Sequence, residues 1–193
     1  MTLRENQKEH RYRQILEIAL DQFITKGYYG TSTREIAKIA GISSGLMFHY
    51  FDSKLALYEA LIEIGCKEMG NWVPIGSDPL SILKEAIEHI FMAIEQNPIF
   101  CKMFIFMDQA HRSHDISERA NQRLSEQDII RQTVPLIKKA QEAGQVREGN
   151  AQALAMALWC AVQGIAQGKA DAHKNVMPKA DWILDMIRSR GEN

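Results

Sequence analysis

Cysteine is scarce in this chain, and the three present, Cys66, Cys101 and Cys160, are odd in number and far apart. No CxxC pair exists, which argues against a disulfide framework or a structural zinc site and fits a reducing cytoplasm. The opening stretch MTLRENQKEHRYRQ lacks an apolar h-region, so export is not expected. Strand-like alternation is missing and β-branched residues never cluster, which removes the sheet-based fold classes. Catalytic signatures are missing as well. There is no GxSxG elbow, no phosphate-cradling glycine loop and no paired His/Cys motif, so an enzyme is not expected and no cofactor is implied.

One run, Gly149 to Gly168, carries no charge and has the length of a membrane span. Asn150, Gln152, Gln163 and Gln167 interrupt it, and six of its residues are alanine. That composition suits a helix buried between other helices, and no membrane partner is expected. The net charge of −1 hides an asymmetry: residues 1–54 hold eight Lys/Arg against six Asp/Glu, and the remainder fifteen against eighteen. The N-terminal excess is too small to imply nucleic-acid binding alone, though its sign agrees with it.

What is present is helical periodicity throughout a 193-residue chain that is 46% apolar, enough for one large or two small folded units. Ile15, Ala19 and Phe23 recur at a spacing of four in a first helix expected over Gln7–Lys26, with Gly27 as its stop. Ser32-Thr33-Arg34-Glu35 reads as a capping box opening a short helix that ends near Ala40. Gly41 supplies a tight turn, Ser43 caps another short helix through Phe51, and Asp52 or Ser53 starts a fourth running to about Gly70. Asp78-Pro79 opens a fifth helix and Asn97-Pro98 ends it. Further helices are expected over about Ile99–Arg112, Ile116–Ala143, Asn150–His173 and Lys179–Arg190.

The second and third helices, joined by Gly41, describe a helix-turn-helix. Ile36, Ala37, Ala40, Ile42, Met47 and Tyr50 fall where two steeply crossing helices bury their shared corner, and Gly41 permits a positive φ. Thr33, Arg34, Ser43, Ser44, Gly45, Phe48 and His49 are left to point outward. That short, polar face suits a helix entering the ~12 Å major groove of duplex DNA. An ordinary helical hairpin would show the same spacing.

The run GYYGTSTREIAKIAGISSGLMFHYFDSKLAL, with Ile15 and Phe23 before it, resembles the DNA-binding region of the tetracycline-repressor (TetR) family. Matching positions are Phe23, Gly27, Thr31-Ser32-Thr33, Ile36-Ala37, Gly41, Gly45, Phe48-His49-Tyr50-Phe51, Lys54 and Leu57. The resemblance implies an all-α fold: a helix-turn-helix domain over 1–52, then a helical ligand-sensing and dimerisation domain over 53–193, linked by helix four. It implies phosphate contacts from Thr33 and Lys54, and groove contacts from Ser43, Ser44, Gly45, Phe48 and His49. It places Tyr50 on the flanking sugar-phosphate. Many family members carry tyrosine at Phe48; without the hydroxyl, the ring suits a thymine methyl. Leu46 is either a base contact or part of the core.

The last two helices are the expected homodimer surface. Ala153, Ala157, Ala161, Gly164 and Gly168 form a small-residue stripe, and Leu154, Leu158, Ile165, Trp182, Ile183, Met186 and Ile187 offer buried area. The segment IFCKMFIFM at 99–107 is apolar nearly all round and should be central. Met103, Phe104 and Met107 from it, with Met69, Phe91 and Trp159, are candidates to line a cavity for a small hydrophobic effector, although a solid core would use the same residues. Asp108, His111 and Asp115, with His114 nearby, have a spacing that can hold a metal, but a solvated helix end is the expected reading and no metal is assigned. The function these features imply is a homodimeric repressor released from a palindromic DNA operator by a ligand. A helical-bundle enzyme or a lipid or small-molecule carrier is the alternative.

Overall fold

The computed structural model describes residues 2–69, 76–113, 116–170 and 176–189. Its helices are α1 (Leu3–Gly30), α2 (Thr33–Ile39), α3 (Ser44–Tyr50), α4 (Lys54–Met69), α5 (Pro79–Gln96), α6 (Pro98–His111), α7 (Glu118–Glu126), α8 (Ile129–Glu142), α9 (Ala151–Ala170) and α10 (Ala180–Leu184). The all-α expectation holds, and the β-type pairing found among the described residues is a single antiparallel bridge between Val146 and Arg188. No helix among the described residues is long and apolar enough to cross a membrane.

The helix ends follow local chemistry. Asp78 accepts from the Ser81 amide at 2.8 Å with Pro79 in the first turn, and Asn97 breaks the chain and caps α6 through the Ile99 and Phe100 amides. Ser53 caps α4 by accepting from the Ala56 amide at 3.0 Å.

Several expected boundaries move. Helix α1 starts at Leu3 rather than Gln7, because Thr2 and Glu5 form a reciprocal capping box. The box expected at Ser32 does not form: the Ser32 side chain makes no capping bond. The Glu35 carboxylate turns instead to Lys26 Nζ at 2.5 Å, a charge-assisted partner that outcompetes a neutral amide. The single helix expected over 116–143 is two, because Asp128 accepts from the Arg131 amide and starts α8 afresh. Helix α10 stops at Leu184 instead of Arg190. Beyond it, the Ile187 carbonyl accepts from the Arg147 amide and the Ser189 amide donates to Gln145, so the backbone pairs with another segment. The expected end of α9 at His173 lies outside the described residues.

Two compact units emerge: residues 1–68 with 105–124, and residues 69–104 with 125–193. This division differs from the one expected at residue 52, since α4 up to Glu68 groups with the N-terminal helices. In the first unit an aromatic cluster forms around Tyr58, whose ring meets Phe23 at 4.9 Å, Tyr28 at 5.0 Å and Phe106 at 4.9 Å. Burial pushes the Tyr58 hydroxyl above its ordinary value, against a hydrogen bond with Ser113 that lowers it. Helix α7 is tied to α4 through Arg123, which pairs with Glu63 at 2.8 Å and holds that carboxyl below its usual range. Glu59 adds a second tie by accepting from the Ser117 amide.

The second unit packs α5, α8, α9 and α10 around Ile87, Ile137, Leu158, Val162 and Leu184. Asp181 on α10 pairs with Lys84 and Arg188, and both hold its carboxyl below the ordinary carboxylate value. Phe91 and Trp159 are buried in this core, Phe104 packs against it half-buried, and the Trp159 indole donates to Thr133 Oγ1 at 2.7 Å. Of the other cavity candidates, Met103 is buried and Met69 half-buried in the second unit, while Met107 is buried in the first. Among the described residues no group of three His, Cys, Asp or Glu side chains is placed to hold a metal. Asp108 pairs with Arg112, and His114 and Asp115 lie outside the described residues.

Candidate nucleic-acid interface

The helix-turn-helix is built by its corner. Ile36, Ala37, Ala40 and Met47 are buried, and Ile42 and Tyr50 are half-buried. Gly41 adopts φ +66°. There the Ile42 amide donates to the Ala37 carbonyl at 3.0 Å and the Gly41 amide to Lys38 at 3.2 Å. Those two bonds are the glycine-dependent helix stop that consumes the orphan carbonyls of α2. Ser43 then caps α3 by accepting from the Leu46 amide at 3.1 Å. The carbonyls of Ala37 and Lys38 at the end of α2 and the Leu46 amide at the start of α3 are thus paired within the turn.

This geometry presents one open face. Arg34, Ser43, Ser44, Gly45 and His49 are exposed, and Thr33 and Tyr50 half-buried. Phe48 is 49% exposed and Leu46 40%, so Leu46 belongs to the surface and not to the core. Two apolar side chains in the open on a seven-residue helix, beside serines and an imidazole, offer methyl contacts and hydrogen bonds together. Base edges in a major groove present the same mixture. At Gly45 an added Cβ would meet only Ser43 Oγ, at 3.9 Å, so the fold itself leaves room for a side chain there.

Lys54, for which the resemblance implied a phosphate contact, is half-buried at the start of α4. Its Nζ donates to the carbonyls of Tyr28 at 2.7 Å and Thr31 at 3.1 Å, and lies 4.3 Å over the Tyr28 ring. Those carbonyls close α1, where the partial negative charge of the helix end attracts a cation. Thr31 completes the stitch by donating to the Gly27 carbonyl at 2.7 Å. Two of the three ammonium donors of Lys54 thereby fix α4 to the end of α1. Lys54→Met should lower stability by ~1–2 kcal/mol in the absence of DNA, from two lost charge-assisted bonds. Urea unfolding checks this, and an unchanged midpoint would return Lys54 to a surface role.

Sequence reading also missed how α1 is braced. The Tyr12 ring stacks on Phe51 with centroids 5.1 Å apart, and the Arg11 guanidinium lies 3.4 Å from the Ala40 carbonyl at the corner. No spacing rule links residues so far apart in the chain.

A helix pair with this turn and this open face defines the class of helix-turn-helix proteins. Residues 15–61 match the family described as bacterial regulatory proteins, tetR family. Over that helix-turn-helix region the chain is similar to this family. It is 34% identical to the HTH-type transcriptional regulator AcrR of Shigella flexneri over 96 residues, 47% of this chain and 45% of that one. It is 28% identical to the HTH-type transcriptional repressor KstR2 of Mycolicibacterium smegmatis, over 58% of this chain and 56% of the other. The chain thus spans about half the length of the curated relatives it matches. Its fold resembles AibR solved with isovaleryl coenzyme A and operator DNA, with a TM-score of 0.67 and 18% identity over 91% of this chain and 95% of that one.

Proposed function

We propose that this protein is a DNA-binding transcriptional regulator: a homodimeric repressor that leaves a palindromic operator when a small hydrophobic ligand binds its second unit. The observation that carries the DNA-binding reading is the open α3 face, where exposed Ser44, Phe48 and His49 follow a helix-turn-helix corner closed by the Gly41 turn. Ser44, Phe48 and His49 read base edges, and Thr33, Arg34, Ser43 and Tyr50 position the backbone. Selection from random duplex DNA is the test. A palindromic site should emerge for the wild type, and Ser44→Ala or His49→Ala should relax it at defined positions, at a cost of ~1–3 kcal/mol each. Identical preferred sites for all three proteins would sink the assignment.

Gly45 separates stability from function. Alanine there fits the fold and should raise helix stability by ~0.5–1 kcal/mol, yet weaken DNA binding by keeping the backbone from the duplex. Thermal melting and fluorescence anisotropy on the selected site check both signs. Unchanged affinity would mean that α3 does not approach DNA at this residue.

Dimerisation is assigned to α9 and α10. Leu158, Ile183 and Ile187 are taken up by the chain's own core, which leaves Ala153, Met156, Ala157, Cys160 and Gly164 exposed along one face of α9. Trp182 on α10 is 60% exposed and Met186, just beyond it, 44%. A two-fold pair through such a face would supply the second recognition helix that a palindrome requires.

The ligand reading rests on Phe91, Phe104 and Trp159, with Met69 and Met103 as the further candidates in the second unit, whereas Met107 belongs to the first. The Trp159–Thr133 bond gives it a probe: an effector entering this core must disturb the indole. Binding should change tryptophan emission, and Trp159→Phe should remove most of the change. A ligand must prefer the released state ~10⁴-fold to swing a 1:99 population to 99:1. Compounds that bind here without shifting operator affinity would exclude release by this route.

A further inference from the structure

Sequence discrimination in a major groove comes largely from paired hydrogen bonds, arginine or lysine to guanine and asparagine or glutamine to adenine. Helix α3, with the sequence SGLMFHY and Ser43 as its cap, contains none of those four residue types. The Ser43 hydroxyl is already engaged by the Leu46 amide. What remains for hydrogen bonding on the exposed side is the Ser44 hydroxyl and the His49 imidazole, which offer no paired fork. Two of the large side chains left in the open are apolar, Leu46 and Phe48. The corner beneath them is closed without their help, by buried Ile36, Ala37 and Met47.

An α-helix turns about 100° per residue, so side chains two apart stand about 160° from one another around its axis. With Met47 turned into the core, Gly45 and His49 occupy the outermost arc of α3, and Leu46 and Phe48 stand on its two flanks. Gly45 adds no bulk to that arc. A helix seated on it directs its two apolar flanks toward opposite walls of the groove, and so toward different strands. The apolar group that base edges present in a major groove is the C5-methyl of thymine. Two apolar flanks match two such methyls, while serine and imidazole between them meet polar base edges.

We propose that Leu46 and Phe48 are specificity-determining residues that read the C5-methyl groups of two thymines, one on each strand of a half-site. The inference rests on the DNA-binding reading above and adds what the helix discriminates: the methyl group itself, in place of paired hydrogen bonds. The test uses the full chain and the palindrome selected for it. Each thymine is replaced in turn, in both half-sites together, by deoxyuridine. Uracil pairs with adenine and presents the same hydrogen-bonding edge as thymine, without the C5-methyl.

Loss of one buried methyl should weaken binding about four-fold per half-site, or about sixteen-fold for the symmetric pair. Two thymine positions per half-site, on opposite strands, should show that loss. Leu46→Ala should make the thymine and uracil duplexes equivalent at one of these positions, and Phe48→Ala at the other. Where cytosine is placed at either position, 5-methylcytosine returns the methyl and should bind better than cytosine by a similar factor. A palindrome that binds tightly yet has no uracil-sensitive thymine, or a loss that survives in both variants, would overturn the inference and leave the DNA-binding reading standing. Failure to select any duplex would overturn both.

Discussion

Phe23→Ala should lower the unfolding free energy by ~3–5 kcal/mol, a large share of the ~5–15 kcal/mol typical of a folded domain. The Phe23 ring is only 1% exposed, and it meets Tyr58 edge-on at 4.9 Å, Tyr28 at 6.1 Å and Phe106 at 6.3 Å. Alanine leaves a cavity in a cluster built from three separate helices, and aromatic rings cannot collapse into it without giving up their own contacts. Tyr29 is the internal control. It lies six residues along the chain but is 78% exposed, so Tyr29→Ala should stay within ~0.5 kcal/mol. Urea unfolding of both variants measures the contrast, and a Phe23→Ala loss below ~1.5 kcal/mol would remove this cluster from the centre of the first unit. DNA binding should fall with the fold in Phe23→Ala and persist in Tyr29→Ala.

Operator affinity should fall by ~10³–10⁵ between 50 and 200 mM salt if the bound protein neutralises ~6–10 phosphates. Arg34 and Lys38 are exposed on α2, and Arg4 and Lys8 on α1, so a two-fold pair would bring that number of cations to the duplex. The net charge of −1 makes this a demanding test. A chain without a global positive charge gains counterion release only if its cations are gathered on the DNA-facing side. Affinity measured across that salt range on the selected palindrome decides it. A flat response would exclude groove docking. A steep slope with unchanged sequence preference in His49→Ala would assign binding to the backbone alone.

The DNA-binding region was legible in the chain because its determinants are local. Gly41 must take a positive φ to turn within so few residues, and it does. Ser43, Asp78 and Asn97 cap helices a few residues away through their own side chains. The spacing of Ile36, Ala37, Ala40 and Met47 marks one buried face whatever the rest of the protein does. Periodicity and capping act over one or two helical turns, and a sequence displays them directly.

What only the tertiary structure decided involves competition between distant groups. Ser32 and Glu35 satisfy the capping-box pattern, yet Lys26 takes the carboxylate, because a charged donor reaches it from the preceding helix. Lys54 also bridges the carbonyls of Tyr28 and Thr31 with two of its three ammonium donors, a tie that its place in the sequence does not show. Leu158, Ile183 and Ile187 looked available for a partner and are consumed by the chain's own core, while Met156, Trp182 and Met186 stay exposed. A side chain's type states which partners it can take. Which one it takes depends on what the folded chain brings within hydrogen-bonding or packing distance, and that distance is set by residues far away in sequence.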